Sequence, residues 1–336
     1  MLAIYVLYQL QAIIVWTILA LFLAVALSPP VNWLTRHGWP RTPSILIVYV
    51  VVLLVLSAIV ALVLPALVTQ VRQLASVLQQ PGGLSAAIDR IASPLGLSGL
   101  VASWRPQLDR LPGQVATSLG SVGSLTTVTS GTIGSIAALL SVAVLGFFFM
   151  HDGAALVKSA VGLLPESQRP TAYRISNGSA EAISGYIRGN LAISLIAGVT
   201  VFVGMEVLGI PYALPLALLL AILDLIPMVG AQLGAVPVVL AALMISPLKA
   251  VIILAFIIVY SQIESNVLNP LVYGRRDQLP ALTVFLAFLV GSILFGILGA
   301  LIAIPVANII RILFREWRAS RMRDTLSSDA DEADAN

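Results

Sequence analysis

The sequence has no cysteine, only two histidines and few charges, with 18 Lys or Arg and 15 Asp or Glu among 336 residues. Without cysteine there can be no disulfide, no thiolate nucleophile and no Cys-ligated metal. Two histidines leave little from which to build a zinc or haem site, so neither metal nor cofactor is expected. The net charge of +3 is too small for a nucleic-acid footprint. A soluble domain carries about 25% charged residues; this chain has 10%, with 59% hydrophobic residues and a mean hydropathy of +1.02. That balance excludes an ordinary soluble enzyme and a disordered chain. It leaves an all-α polytopic membrane protein, since several uncharged runs reach the roughly 20 residues a helix needs to cross a bilayer.

No charge precedes Arg36. A first span is expected over about 9–28, stopped by Ser28-Pro29-Pro30, and a second over Ser44–Leu64. No basic n-region or cleavage site marks a signal peptide. After Pro65 the character changes. Leu67, Val71, Leu74 and Leu78 fall at helical spacing among polar residues, Pro81-Gly82-Gly83 breaks the run, and 112–135 is rich in Gly, Ser and Thr. Residues 65–133 therefore read as an extracytoplasmic helical insert between the N-terminal spans (1–64) and a transport core (134–315). Within that core a span over 134–150 precedes cytoplasmic amphipathic helices over 154–188. Prolines and glycines then divide the chain into segments 190–208, 212–227, 230–246 and 250–268. The run Gln278–Ile310 is uncharged and too long for one straight span, with Gly291, Gly296, Gly299 and Pro305 as places to bend. It reads as a re-entrant hairpin, giving about seven to eight membrane segments. A basic and then acidic tail, 316–336, is expected to be cytoplasmic, with Asp324 to Asp334 disordered.

Charge parity supports the hairpin. With the Arg36–Arg41 loop inside, all basic residues fall on the cytoplasmic side except Arg72, Arg90, Arg105, Arg110 and Lys249. The same scheme leaves Met1 outside, which suggests a missing preceding span. Arg311 to Arg323 would lie against anionic lipid headgroups.

A carboxylate near the bilayer centre costs about 2.5–3.5 kcal/mol on insertion scales, so it faces a cavity or a partner. Asp224, in Leu223-Asp224-Leu225-Ile226-Pro227-Met228-Val229-Gly230, and Glu264, in Gln262-Ile263-Glu264-Ser265-Asn266-Val267-Leu268-Asn269-Pro270, are the candidates. Glu206 lies nearer a span end. Pro227, Gly230 and Pro270 break the helices, and a broken helix frees carbonyls and amides that can bind ions or polar solutes. Asp224, Glu264, Asn266, Asn269 and Gln262 are thus the candidate ion or substrate ligands, with Arg188 and Arg275 at the cytoplasmic mouth. The plainer alternatives are a helix-end cap or surface charge at Asp224, and a local bond from Glu264 to Asn266 or Asn269. There is no phosphate-binding Gly-x-x-x-x-Gly-Lys run, no His-Glu-x-x-His helix and no Gly-x-Gly-Asp element, and His37 and His151 fall at span boundaries, so catalysis is a poor reading.

In these segments the chain resembles the autoinducer-2 exporter family of bacterial permeases, from about residue 9 to residue 315. The likeness is carried by Gly185-Tyr186-Ile187-Arg188-Gly189-Asn190, Leu208-Gly209-Ile210-Pro211, Ile226-Pro227-Met228-Val229-Gly230, the stretch Gln262 to Pro270 followed by Gly274-Arg275, and Phe295-Gly296-Ile297-Leu298-Gly299. The resemblance implies a transporter of about eight segments in the bacterial cytoplasmic membrane, with self-association into a homo-oligomer. It also implies export of a small signal such as autoinducer-2, or sodium or lithium exchange for protons. The expected function is a secondary permease moving a small solute, or a monovalent cation or proton, among membrane lipids. A passive oligomeric channel and a membrane scaffold are its rivals.

Overall fold

The computed structural model describes residues 2–78, 128–273 and 279–334. Arg275, Arg276 and most of the proposed insert lie outside them. The described residues form helices α1 (Leu2–Arg36), α2 (Arg41–Leu78), α3 (Val128–Gly162), α4 (Arg169–Val207), α5 (Ala213–Asp224), α6 (Gly230–Leu243) and α7 (Pro247–Ile263). A π-helical turn (Glu264–Leu268), a short α8 (Asn269–Tyr273) and α9 (Ala281–Asp334) complete the chain order. Six of these helices are long and apolar enough to cross a membrane, as expected for a polytopic all-α membrane protein.

Several boundaries differ from the expectation. The prolines at 29 and 30 do not stop α1, which continues to Arg36. Pro29 cannot donate to the carbonyl of Val25, one turn earlier, and the hydroxyl of Ser28 donates to that carbonyl instead, at 2.8 Å. A side chain that replaces the missing donor makes a proline tolerable within an apolar helix. Similarly, α2 runs through Pro65 to Leu78, and α3 runs from Val128 past His151-Asp152-Gly153 to Gly162, so charge at a membrane boundary does not end a helix. After a break at 163–168, α4 enters the membrane without interruption at 188. The acidic tail, expected to be disordered, is helical to Asp334.

Packing forms two apolar clusters. Ala24 and Val31 of α1, Ile45 and Val48 of α2 and Met150 of α3 make the first. The second joins α4 (Val201, Met205), α5 (Leu216, Leu220), α6 (Val238) and α7 (Ile253, Ile257). Arg41 clamps α2 to α3, donating from Nε (2.9 Å) and Nη2 (2.6 Å) to the Met150 carbonyl. Arg41→Ala should lower stability by about 1 kcal/mol, the scale for a charge-assisted bond near water, which a thermal unfolding comparison in detergent would show.

Two segments are hairpins. Helices α5 and α6, of 12 and 14 residues, extend about 18 and 21 Å at 1.5 Å per residue. Neither crosses a hydrocarbon core of about 30 Å, so their tip at 225–229 lies within the membrane. In α9, Phe295 and Gly296 leave helical geometry (Gly296 φ 60°, ψ −143°), a conformation open to glycine because it has no Cβ. Gly291 and Gly299 then face each other so closely that a Cβ on either would strike the other's carbonyl. Along a straight helix these residues would lie about 12 Å apart, so the chain doubles back as the charge parity required. Arg174 near the start of α4 contacts Glu316, at 3.3 Å. The α9 hairpin therefore returns to the end of the molecule where α4 begins, opposite the α4–α5 turn and Lys249.

Candidate functional site

The two breaks in the second cluster create the site. At the α5–α6 tip the backbone reverses through Ile226-Pro227-Met228-Val229, with Met228 held at φ 69°. The Gly230 N–H closes the turn on the Ile226 carbonyl at 3.0 Å. Only a glycine fits at 230, because a Cβ there would strike the Leu223 carbonyl and sit 2.8 Å from Asp224 Cα. The second break comes from Pro270, which cannot donate to the helix carbonyls before it. The Asn269 N–H reaches back five residues to the Glu264 carbonyl, giving the π-helical turn. Such turns insert a residue and re-aim side chains, and they recur at functional sites.

These breaks, α4 and the α9 hairpin enclose a cavity of about 900 Å³ lined by Asp224 and Glu264 together. The two carboxylates lie close enough for their charges to interact. Asp224 is 9% exposed and accepts a hydrogen bond from Ser194 Oγ at 2.9 Å. It does stand at a helix end, but buried, so it is neither a surface charge nor a simple cap. One oxygen of Glu264, Oε2, is buried with no hydrogen-bond partner. Its expected partner Asn266 instead turns its amide to the Gln262 carbonyl, at 2.8 Å.

Asn269, Pro227 and Gly230 also line the cavity. Gln262 and Asn266 do not; they are exposed on the outer side of the break, because adjacent helical positions point in different directions. Pro270 contributes through the break and is not itself in the lining. Arg188, expected at the mouth, is exposed and bonds the Ser184 carbonyl at 3.2 Å. Arg275 lies outside the described residues. Glu206 is exposed near the far end of α4.

Other residues build the site without having stood out in the sequence. Tyr186 and Asn190, one turn apart on α4, point inward on either side of Arg188. Asn190 Nδ2 donates to the Leu225 carbonyl at 3.0 Å, holding the hairpin tip. Tyr186 stacks on Tyr273 with ring centroids 5.9 Å apart. Arg311 and Arg315, expected against lipid headgroups, line the cavity at its basic end, and Asn308 lies one turn deeper on α9. The available signal was the four-residue spacing of Tyr186 and Asn190, and of Arg311 and Arg315, which marks a shared helix face.

This arrangement can hold a small polar solute, with acidic groups deep in the membrane and guanidinium groups at one end. Comparison with known proteins agrees with a carrier. The chain is 30% identical over 297 residues to the proposed transport protein YueF of Bacillus subtilis, covering 85% of this chain and 79% of that protein. It is 30% identical over 315 residues to the proposed transport protein MT0215 of Mycobacterium tuberculosis, covering 90% and 82%. It is 27% identical over 327 residues to TqsA of Escherichia coli, named an AI-2 transport protein, covering 94% and 90%. The sequence pattern described as AI-2E family transporter matches residues 1–319, and this multi-pass membrane protein belongs to that family.

Proposed function

We propose that the protein is a secondary transporter of the bacterial cytoplasmic membrane, with its basic end and C-terminus inside, in which Asp224 and Glu264 couple solute movement to a proton or monovalent cation. The observation that carries this reading is that two carboxylates, from two separate helix breaks, share one cavity within the membrane. In a medium of low polarity two like charges repel strongly. Binding of a proton or cation relieves that repulsion, and its departure restores it, so occupancy of the cavity is linked to ion movement. A volume of about 900 Å³ far exceeds a bare ion and leaves room for a small organic solute, with Asn269, Asn308 and Ser261 as hydrogen-bonding groups. Towards the opposite end, the fully buried Val201, Met205, Leu216, Val238 and Ile253 pack into a plug, which favours alternating access over an open channel.

The test is reconstitution into liposomes with a trapped pH-sensitive dye, under imposed Na⁺, K⁺ or Li⁺ gradients. Wild type should move protons against one of these cations, and Asp224→Asn and Glu264→Gln should each reduce the rate at least about tenfold, a loss of about 1.4 kcal/mol or more. Folded protein that moves no protons with any of the three, or variants with unchanged flux, would overturn the assignment of the pair.

A further inference from the structure

Beyond the carboxylate cavity, the opposite end of the α5–α6 hairpin holds a second compartment. Its volume is about 200 Å³ and its lining includes Gln70, Gln73, Pro211, Tyr212, Met244 and Ile245. Helix α2 reaches it because Pro65 does not end that helix. Past the proline, Val63, Ala66 and Gln70 lie at spacings of three and four residues and are all buried, forming one helical face. Leu67 beside them packs into the cluster of α4–α7.

Along this buried stripe an apolar residue is expected at position 70. Gln70 is 8% exposed, and its Nε2 is buried with no hydrogen-bond partner. Leaving such a group unsatisfied costs about 1–3 kcal/mol, and a leucine there would avoid that cost. A buried amide that lines a pocket and bonds to nothing in the protein is a group arranged for something that enters the pocket. No charged side chain is in the lining, so the occupant is uncharged. The amide calls for oxygen acceptors, while Pro211, Met244 and Ile245 offer an apolar wall. With about 30 Å³ per water molecule, the space holds the equivalent of about seven waters.

We infer that this pocket is a second binding site, for a small uncharged polyhydroxylated molecule, with the Gln70 amide as its principal hydrogen-bonding group. It is separated from the Asp224–Glu264 cavity by the length of α5 and stands on its own geometry, whichever ion the cavity takes. For a transported solute it would be the station at the end away from the basic mouth.

The absence of native cysteine makes the test direct. Ile245, 44% exposed and in the pocket lining, is replaced by cysteine, and its reaction rate with N-ethylmaleimide is measured on the full-length protein in nanodiscs. Erythritol, ribitol and D-ribose serve as probes. At least one should slow labelling about threefold at about twice its Kd, because shielding scales as 1 + [L]/Kd. Gln70→Leu in the same background should abolish that protection while the unprotected rate and the size-exclusion profile persist. A cysteine at Leu248, outside the lining, should show no protection. Absence of protection by all three probes would leave the pocket to water and overturn the inference, as would equal protection in Gln70→Leu or at position 248. The readout needs no ion gradient, so it is independent of the outcome for Asp224 and Glu264.

Discussion

Gly230→Ala is expected to abolish transport and to destabilise the protein by about 2–4 kcal/mol, the upper range for forcing atoms into a packed site. The added Cβ would strike the Leu223 carbonyl and crowd Asp224 Cα. Both are backbone atoms of the preceding helix, so no rotamer change relieves the clash. Either α5 and α6 move apart or the tip turn opens, and both shift the carboxylate that Ser194 now holds at 2.9 Å. The Asn190 bond to the Leu225 carbonyl, at 3.0 Å, would loosen with the tip. Gly153→Ala is the matched control: it lies within α3, a Cβ there meets nothing within 4 Å, and replacing a mid-helix glycine gains roughly 0.5–1 kcal/mol. Thermal unfolding in detergent and proton flux in liposomes would read both variants. Near-native stability and flux in Gly230→Ala would show that the tip is not a tightly packed element.

Much of this architecture was legible in the sequence, because bilayer thickness and hydrogen-bond satisfaction act locally. The uncharged runs, the breaks at Pro227–Gly230 and Pro270, and the reversal between Gln278 and Ile310 follow from composition, from missing donors and from charge parity. Proline as a stop signal was the least dependable guide. Whether it ends a helix depends on what satisfies the freed carbonyl, and Ser28 does so for Pro29. Within the site, Asp224, Glu264 and Asn269 could be found as costly polar groups beside broken helices. Their neighbours Gln262 and Asn266 share that composition but point outward, since a π turn rotates the following side chains by an amount that residue spacing alone does not give. The second wall, with Tyr186, Asn190, Asn308 and Arg311, depends on how α4 and α9 pack. No periodicity within one helix encodes which face meets another helix 120 residues away. The arginines were read as lipid anchors for the same reason.

The C-terminal hairpin carries the other large expected effect. Gly299→Leu places a side chain where Gly291 presents its carbonyl and where a Cβ alone already comes within 2.7 Å of Phe295 Cβ. The two arms must separate, the wall bearing Asn308 and Arg311 is lost, and the yield of monodisperse protein should fall sharply along with transport. A topology measurement separates this packing argument from mere sensitivity of the segment. The chain has no cysteine, so single cysteines at Ala281 and at the exposed Arg318 report without background. Arms that double back at Phe295–Gly296 place both reporters on one side of the membrane. A membrane-impermeant maleimide should then label both in inside-out vesicles and neither in right-side-out vesicles. A cysteine at Leu248, which is 68% exposed at the opposite end, should show the reverse pattern. A single tilted span would instead put residues 281 and 318 on opposite faces. Labelling of those two from different sides would therefore dismantle the hairpin, and with it the cavity wall to which Arg311 and Arg315 belong.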